Sequence, residues 1–303
     1  MNKILSCLVF LALMATSVSA QFNPRQISWD VSADYLVRLK DGEEIVGRYV
    51  SSDSLNIVFS TRSIPSMQIP LKNVREVEVL SERSFKKGVY WFPNPNSTRY
   101  LFSPSAFNLK KGEGYYQNTY LFLNSFNVGV TDNISVGGGI EFLSTFASLA
   151  AGDFKPIFFL TPKASFRVTD NFHAGAGVLY FSIPDFFSDE ETEKRTGVGV
   201  AYGIGTLGNP DHNLTGGAGW GFVRGDFARE PFLTISGMTR ISRKTALVTE
   251  NWLVPDDGYY GIYSYGFRFF GEKIAVDLAF LNNADIAEGL AIGIPYVDFV
   301  VKF

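Results

Sequence analysis

The chain has 303 residues, a formal net charge of −3 and a single cysteine. The slight acidic excess argues against a general nucleic-acid binder, because binding to phosphates requires a basic surface. One cysteine cannot form an intrachain disulfide or supply the thiolate cluster of a structural zinc site. The 28 Phe, 14 Tyr and 29 Gly residues indicate a β-rich protein, because aromatic side chains favour strands.

Residues 1–20 have the features of a secretory signal peptide. Lys3 supplies the positive start, residues 4–15 are an apolar run, and residues 18–20 (Val-Ser-Ala) match a small-residue cleavage signal. The alternative, a buried N-terminal helix, does not account for all three features. The run is too short to span a membrane as a helix. Cleavage would remove Lys3 and Cys7, leaving 26 basic and 30 acidic residues, a net charge of −4.

Residues 21–80 predict a small β-domain. Asp41-Gly42 is typical of a two-residue hairpin turn, because Gly adopts the positive φ that such turns need. Leu55, Ile57 and Phe59 alternate with mostly polar neighbours, which indicates one buried face. Five short strands are expected, at residues 35–40, 44–50, 55–60, 67–71 and 74–80.

The segments "LKDGEEIVGRYV", "LNIVF" and "MQIPLKNVREVEVL" of this β-domain resemble SH3-like or Sm-like small barrels. The resemblance implies a fold and not RNA binding, because the basic and aromatic contacts expected for RNA are absent. Residues 81–97 then predict a stiff, extended linker, since Pro93 and Pro95 disfavour helix.

Residues 98–303 predict an antiparallel, up-and-down transmembrane β-barrel of about twelve strands. The strands are expected near residues 98–108, 115–130, 134–144, 156–168, 172–183, 196–207, 213–223, 231–242, 245–254, 259–270, 273–281 and 289–303. Tight polar turns at 131–133, 169–171, 209–212, 243–244 and 271–272 alternate with connections that tend to be longer. Short periplasmic turns and longer outer loops are typical of outer-membrane barrels. The predicted class is therefore all-β, with the signal peptide and the small β-domain before the barrel.

The side-chain pattern of these strands indicates which face meets lipid. In residues 134–142, 158–168, 198–206 and 274–280 the even positions are mainly large and apolar, whereas the odd positions are mainly Gly, Ala and Ser with a few charges. A soluble sandwich would instead place many charged residues on its wet face. We therefore expect the large apolar residues to point outward and the small ones inward. Lipid also requires a closed barrel, because each unpaired backbone group costs several kcal/mol.

The C-terminal strand carries a second signal for the outer membrane. Val297, Phe299, Val301 and Phe303 share one face. This pattern resembles the C-terminal signature that the outer-membrane assembly machinery recognises, with Phe303 as the recognition point; the alternative is an ordinary amphipathic edge strand. Residues 94–142, "NPNSTRYLF" to "GGGIEF", resemble uncharacterised outer-membrane β-barrel proteins of the Bacteroidota type. That resemblance implies a fold and a location, and it brings no catalytic residues.

Few residues suit catalysis or cofactor binding, and we predict that the protein is not an enzyme. The Gly clusters fall inside predicted strands rather than between a strand and a helix, as a dinucleotide site would require. A hydrolase would need a Ser–His pair, and His173 with Ser165 or Ser135 is a weak candidate; His212 lies in a predicted turn. Sparse histidines argue against a transition-metal site. No cofactor is expected.

Charged residues at inward positions form the candidate site. Five basic residues are predicted near the periplasmic mouth, which would make it net positive. Two interpretations are open: an ion-selective pore, or a network of paired charges that fills the lumen. The predicted lumen charges are Arg99, Glu141, Lys163, Arg167, Arg240, Glu250, Arg268, Asp277, Asp298 and Lys302. The acidic loop 184–195, with Phe186 and Phe187, is expected to be solvated surface or a contact for a ligand or partner.

These patterns favour an outer-membrane protein with its N-terminal domain in the periplasm. The first hypothesis is a narrow channel or passive transporter for small solutes. The alternative is a non-transporting structural or interaction protein whose lumen is closed by its charges; an envelope enzyme is the third. The expected partners are membrane lipid, the assembly machinery and a small solute, with no nucleic acid. The sequence does not identify a periplasmic partner.

Overall fold

The computed structural model describes residues 27–81, 84–152, 154–184, 195–256 and 258–303. The predicted signal peptide and residues 185–194 of the predicted acidic loop, with Phe186 and Phe187, lie outside the described residues. The chain divides into two compact units between Trp91 and Phe92. Among the residues that the structure describes, no helix is long and apolar enough to cross a membrane.

The first unit contains a five-stranded antiparallel sheet with the order β4-β3-β2-β1-β5. Its strands are β1 (Asp34–Leu39), β2 (Glu44–Ser52), β3 (Asn56–Ser60), β4 (Met67–Pro70) and β5 (Val74–Leu80). Gly42 has φ 95° in the turn between β1 and β2, as the Asp-Gly pair predicts. A two-stranded hairpin follows, β6 (Phe85–Lys86) with β7 (Val89–Tyr90), inside the segment predicted as an extended linker.

Aromatic and aliphatic side chains form the core of this sheet. Tyr35, Ile57 and Phe59 are fully buried, and the ring of Trp29 stacks on Tyr49 with centroids 4.4 Å apart. Leu55 was predicted on the same buried face, but it is 72 % exposed. The reason is that it precedes β3, in a turn that the Asp53 carboxylate closes by accepting the Leu55 backbone N–H at 2.7 Å.

The second unit is a closed antiparallel β-barrel. Its wall is built from β8 (Gly114–Thr119), β9 (Leu123–Gly129), β10 (Ile134–Glu141), β11 (Ile157–Leu160), β12 (Lys163–Arg167), β13 (Phe172–Pro184), β14 (Arg195–Asn209), β15 (His212–Val223), β17 (Phe232–Arg240), β18 (Thr245–Pro255), β19 (Tyr259–Phe270), β20 (Ile274–Asn282) and β21 (Ile294–Lys302). A short β16 (Asp226–Phe227) pairs only with β15. β21 pairs with β8, which closes the ring.

β11 and β12 are two parts of one strand. Both lie between β10 and β13 in the same register, and the break falls at Thr161 and Pro162. Pro162 cannot donate a ladder hydrogen bond, because proline has no backbone N–H. Across the described residues the ring therefore has twelve strands, which confirms the predicted antiparallel β-barrel of about twelve strands.

Two strand assignments within that count were wrong. Residues 98–108 are not part of the wall, and residues 115–130 form two strands, β8 and β9, rather than one. A tight turn joins β8 to β9, in which Tyr120 and Leu121 have φ 54° and 66°. The predicted strand at 98–108 is therefore absent from the wall, and the predicted strand at 115–130 counts as two. The two errors cancel, and the number of strands is still twelve.

The up-and-down order places the connections at two ends. The short turns after β9, β12, β14, β17 and β19 lie at the same end as the C-terminus, which we call the terminal end. The other connections lie at the loop end and include helices at Phe142–Ala150 and Ala284–Gly289. This alternation matches the one read from the sequence.

The direction of the side chains agrees with the sequence in three of the four strands analysed. β10, β11 with β12, and β20 point large apolar residues outward, as Val136, Phe166 and Leu278 show. β14 is reversed: Ile204 is buried in the lumen, and the outward Gly203 has nothing within 4 Å of the place where a Cβ would be. An alternation of Gly with large apolar residues fits either orientation, and here the large residues fill the lumen.

Candidate functional site

Residues 92–109 lie inside the barrel, and we call them the plug. Tyr100, Leu101 and Ala106 are almost fully buried. The plug turns back on itself at an isolated bridge between Arg99 and Pro104, supported by a hydrogen bond from the Tyr100 backbone N–H to the Ser103 carbonyl at 2.9 Å. Because the plug has no strand ladder of its own, its other buried backbone groups need partners from the wall.

Glu250 on β18 holds the turn of the plug. Its Oε2 accepts backbone N–H groups from Leu101 (2.9 Å), Phe102 (3.0 Å) and Ser103 (2.9 Å). Its Oε1 accepts the indole N–H of Trp252 at 2.8 Å. This buried carboxylate therefore accepts four N–H groups, and in the part of the chain that the structure describes it forms no ion pair.

Arg268 on β19 holds the plug through its carbonyl groups. The guanidinium donates to the carbonyl oxygens of Asn96 (2.8 Å), Arg99 (3.1 Å) and Tyr100 (2.6 Å). It also forms a bidentate ion pair with Asp277 on the neighbouring strand β20. Each of these groups would be costly to bury alone, so the contacts satisfy wall and plug together.

Arg99 is the charged residue that the plug itself contributes to this network. Its Nη2 lies 3.0 Å from Asp277 Oδ2 and 3.2 Å from Asp298 Oδ1. With Arg268, these side chains form a buried cluster of two guanidinium groups and two carboxylates, so their formal charges cancel. Asp298 also accepts hydrogen bonds from Gln117 (2.6 Å), Thr119 (3.0 Å) and Tyr296 (2.8 Å).

Lys163 on β12 contacts the plug differently, because no carboxylate accompanies it. Its Nζ donates to the carbonyl oxygens of Ser105 at 2.9 Å and Phe107 at 2.6 Å. The residue is 7 % exposed. In the described part of the chain, none of its hydrogen bonds or ion pairs is to an acidic side chain.

Arg240 lies at the terminal end and is also buried, where it pairs with Asp211 at 3.0 Å and donates to the carbonyl of Phe92 at 2.9 Å. The predicted net positive mouth is therefore wrong: Arg99, Arg240 and Arg268 are paired with aspartates.

Three residues predicted as lumen charges lie elsewhere. Arg167 is the last residue of β12, its side chain is 62 % exposed, and it pairs with Asp170 in the following turn. Lys302 is partly exposed beside Glu113. Glu141 caps the helix at Phe142–Ala150, accepting two of its first backbone N–H groups. All three end a strand, where a side chain can leave the lumen for water or for a helix terminus.

The residues considered for catalysis form no Ser–His pair. Ser135 Oγ donates to Asn108 of the plug at 2.9 Å. Neither Ser165 Oγ nor His173 Nδ1 has a hydrogen-bond partner. His212 bonds Thr239 in an exposed turn at the terminal end. Within the described ranges, no group of three or more His, Cys, Asp or Glu residues could hold a metal ion.

A cavity of about 220 Å³ lies beside the plug, on the side of the loop end. The plug contributes Phe102 and Pro104 to its lining, and Lys163 contributes from the wall. A more open hollow of about 550 Å³ shares Leu179 and Phe181 with it and continues toward the loop end. The apolar and aromatic wall side chains of the cavity are Tyr115, Leu123, Phe159, Val178, Leu179, Phe181, Val200, Tyr202, Ile204, Ala218, Phe232 and Trp252.

Comparison with known proteins gives only distant similarities. No family model and no curated protein matches the chain. Among solved structures, the chain is similar to outer-membrane-expressed OmpT, an outer-membrane protein of Vibrio cholerae. The identity is 11 %, the match covers 91 % of this chain and 98 % of that chain, and the TM-score is 0.29. A loop L8 deletion mutant of OmpT gives 10 % identity, 89 % and 96 % coverage, and a TM-score of 0.31. The assignment of the barrel rests on the pairing of this chain's own strands.

Proposed function

We propose that the chain spans a bacterial outer membrane. Closure of the ring leaves no strand edge whose backbone groups would be unpaired in lipid. The outward side chains supply the apolar band that such a barrel needs. Exposed members of this band include Val136, Phe166, Ile235, Phe267, Leu278 and Val297.

The first unit is proposed to face the periplasm. An even number of strands puts the beginning of β8 and the end of β21 at the same end, and short turns are typical of the periplasmic side. Cysteines placed at Asp53 or Lys72 should therefore be unreactive to membrane-impermeant thiol reagents in intact cells. Labelling at either position would reverse the orientation.

Within that membrane the protein is proposed to be a passive transporter for small, mainly apolar solutes. The observation that carries this proposal is the cavity beside the plug, whose wall is largely aromatic and aliphatic. Pockets for small molecules are lined in this way, with a few polar groups that fix orientation. The plug occupies part of the lumen, and in this proposal a solute passes when the plug moves.

A disulfide lock on the plug tests this directly. Ser103 Oγ in the plug lies 3.2 Å from Ser236 Oγ on β17, so the double variant Ser103→Cys/Ser236→Cys is placed to form a disulfide. Entry of the apolar dye N-phenyl-1-naphthylamine into intact cells is then followed by fluorescence. We expect the oxidised double variant to admit the dye at the rate of cells lacking the protein, and reduction to restore the parental rate.

The two single-cysteine variants, treated with the same oxidant, are the matched controls. A parent protein that admits no more dye than cells lacking it would favour the alternative, a non-transporting envelope protein whose lumen is closed by its charges. A locked variant that admits dye as fast as the parent would show that the route avoids the plug.

A further inference from the structure

The buried ammonium of Lys163 is incompletely satisfied. An ammonium group has three N–H donors, and Lys163 uses two of them on the carbonyls of Ser105 and Phe107. Carbonyl oxygens solvate a cation but do not neutralise it. An ammonium group buried without a counter-ion is costly, so the side chain either loses its proton or gains an anion as a partner. A bound anion would favour the charged form.

The other buried charges of the lumen do not supply that anion. Asp277 and Asp298 form ion pairs with Arg99 and Arg268, and Asp211 forms an ion pair with Arg240. Glu250 accepts four N–H groups of its own. It also lies on β18, five strands from β12 around the ring. These ion pairs around the plug therefore form without Lys163.

The surroundings of Lys163 combine a charged group with an apolar wall, which suits an amphipathic ligand. Lys163 and the aromatic residues Phe159, Tyr202 and Trp252 line the same cavity. At ~30 Å³ for each water-sized group, about 220 Å³ holds on the order of seven such groups. A short chain with one charged end fits this volume, and the open hollow beside it leaves room for a longer tail.

We propose that the cavity binds a carboxylate carried on a short apolar chain, with the carboxylate against Lys163 Nζ and the chain along the aromatic wall. This inference rests on the proposed function and names the class of solute. A carboxylate oxygen would accept the third N–H of Lys163 in a charge-assisted hydrogen bond. The aromatic wall contributes by removing apolar surface of the chain from water.

The test is calorimetric titration of the full-length protein in lipid nanodiscs, with empty nanodiscs as the blank. The probes are octanoate, neutral 1-octanol and cationic octylamine, which share one chain. We expect octanoate to bind at one site, at least tenfold more tightly than 1-octanol, and octylamine to bind more weakly still. Lys163→Gln, which keeps donors for the plug carbonyls but no charge, should lose that tenfold preference, and Lys163→Arg should keep it.

Lys244→Gln is the matched control, because Lys244 lies in an exposed turn at the terminal end. Equal binding of octanoate and 1-octanol by the parent would overturn the carboxylate assignment and leave the solute-binding proposal standing. If no probe binds, both proposals fail. Should Lys163→Gln not assemble, the ranking of the three probes on the parent still decides the question.

Discussion

The guanidinium of Arg268 on β19 and the carboxylate of Asp277 on β20 form a bidentate ion pair. The Nε–Oδ1 distance is 2.6 Å and the Nη2–Oδ2 distance is 2.8 Å. Both side chains are fully buried. The same guanidinium donates to three carbonyls of the plug, so the pair links two wall strands to a segment that has no ladder of its own. The pair thus holds the plug backbone as well as joining β19 to β20.

Replacing Arg268 by Met should destabilise the barrel strongly. Among the described residues, the change leaves Asp277 paired with Arg99 alone, and it leaves plug carbonyls without the donors that Arg268 supplied. Breaking a buried pair costs about 3–5 kcal/mol. We expect a clear fall in the temperature at which the protein loses its heat-modifiable gel mobility.

Arg167→Met is the control for that variant, since the Arg167–Asp170 pair is exposed and such pairs contribute about 0–1 kcal/mol. If Arg268→Met melts no earlier than Arg167→Met, the buried pair does not stabilise the barrel and its role in holding the plug is wrong.

Replacing Glu250 by Gln should loosen the turn of the plug. A hydrogen bond to a charged group contributes about 1.5–3 kcal/mol, more than a neutral one, and Glu250 accepts three from consecutive residues of the plug. Hydrogen exchange read by mass spectrometry should therefore show faster exchange of the Leu101, Phe102 and Ser103 amides. Glu288→Gln, in the helix Ala284–Gly289 at the loop end, should leave these amides protected. Unchanged protection in Glu250→Gln would contradict the proposed contact.

Much of the architecture was predictable, because the wall strands alternate with period two and end in recognisable turns. The plug was not, because residues 98–108 contain Arg99, Ser103 and Ser105 at odd positions, as an inward strand face would. Only the tertiary structure shows that these groups bind the wall from inside the lumen. The same limit explains β14: Gly203 and Ile204 alternate correctly, but the pattern does not say which of them faces lipid.

The predicted charges show a related limit. Sequence position placed Lys163 and Arg167 on the inward face of one strand, yet Lys163 is buried and Arg167 reaches water. The difference is depth in the barrel, which depends on where the strand ends, and strand ends are the least certain part of a sequence-based prediction.

Deleting Phe303 should impair assembly of the barrel. Its backbone exchanges two hydrogen bonds with Gly114, at 2.9 and 3.1 Å, at the seam where the last strand meets β8. Removing it deletes both bonds and the terminal aromatic. We expect a smaller heat-modifiable fraction in outer membranes, while Phe303→Tyr, which keeps the backbone and the ring, should assemble like the parent. Normal assembly of the deletion variant would contradict the proposed signal.

Residues 27–81 should fold alone as a soluble domain. Their sheet has its own core, with Tyr35, Val37, Ile57 and Phe59 fully buried. The stacked Trp29 and Tyr49 rings should give a near-ultraviolet circular dichroism signal that is lost cooperatively on heating. A Phe59→Ala variant should melt much earlier, since such a truncation costs about 3–5 kcal/mol. A fragment without a cooperative transition would show that this sheet needs the rest of the chain.

The stability of that fragment should depend on pH through Asp53. The backbone N–H groups of Leu55 and Asn56 donate to its carboxylate and hold the pKa below the ordinary value of 3.8. Because the pKa is lower in the folded state than in the unfolded chain, the stabilisation is fully present above 3.8 and is lost as the pH falls through the folded value. Asp53→Asn should therefore be less stable than the parent fragment in urea at pH 7, and the difference should shrink toward zero at the lowest pH. Asp30, whose pKa is lowered by Ser32, titrates in both fragments and cancels in the comparison. A difference that is the same at pH 7 and at low pH would show that the charge of Asp53 does not stabilise the turn before β3.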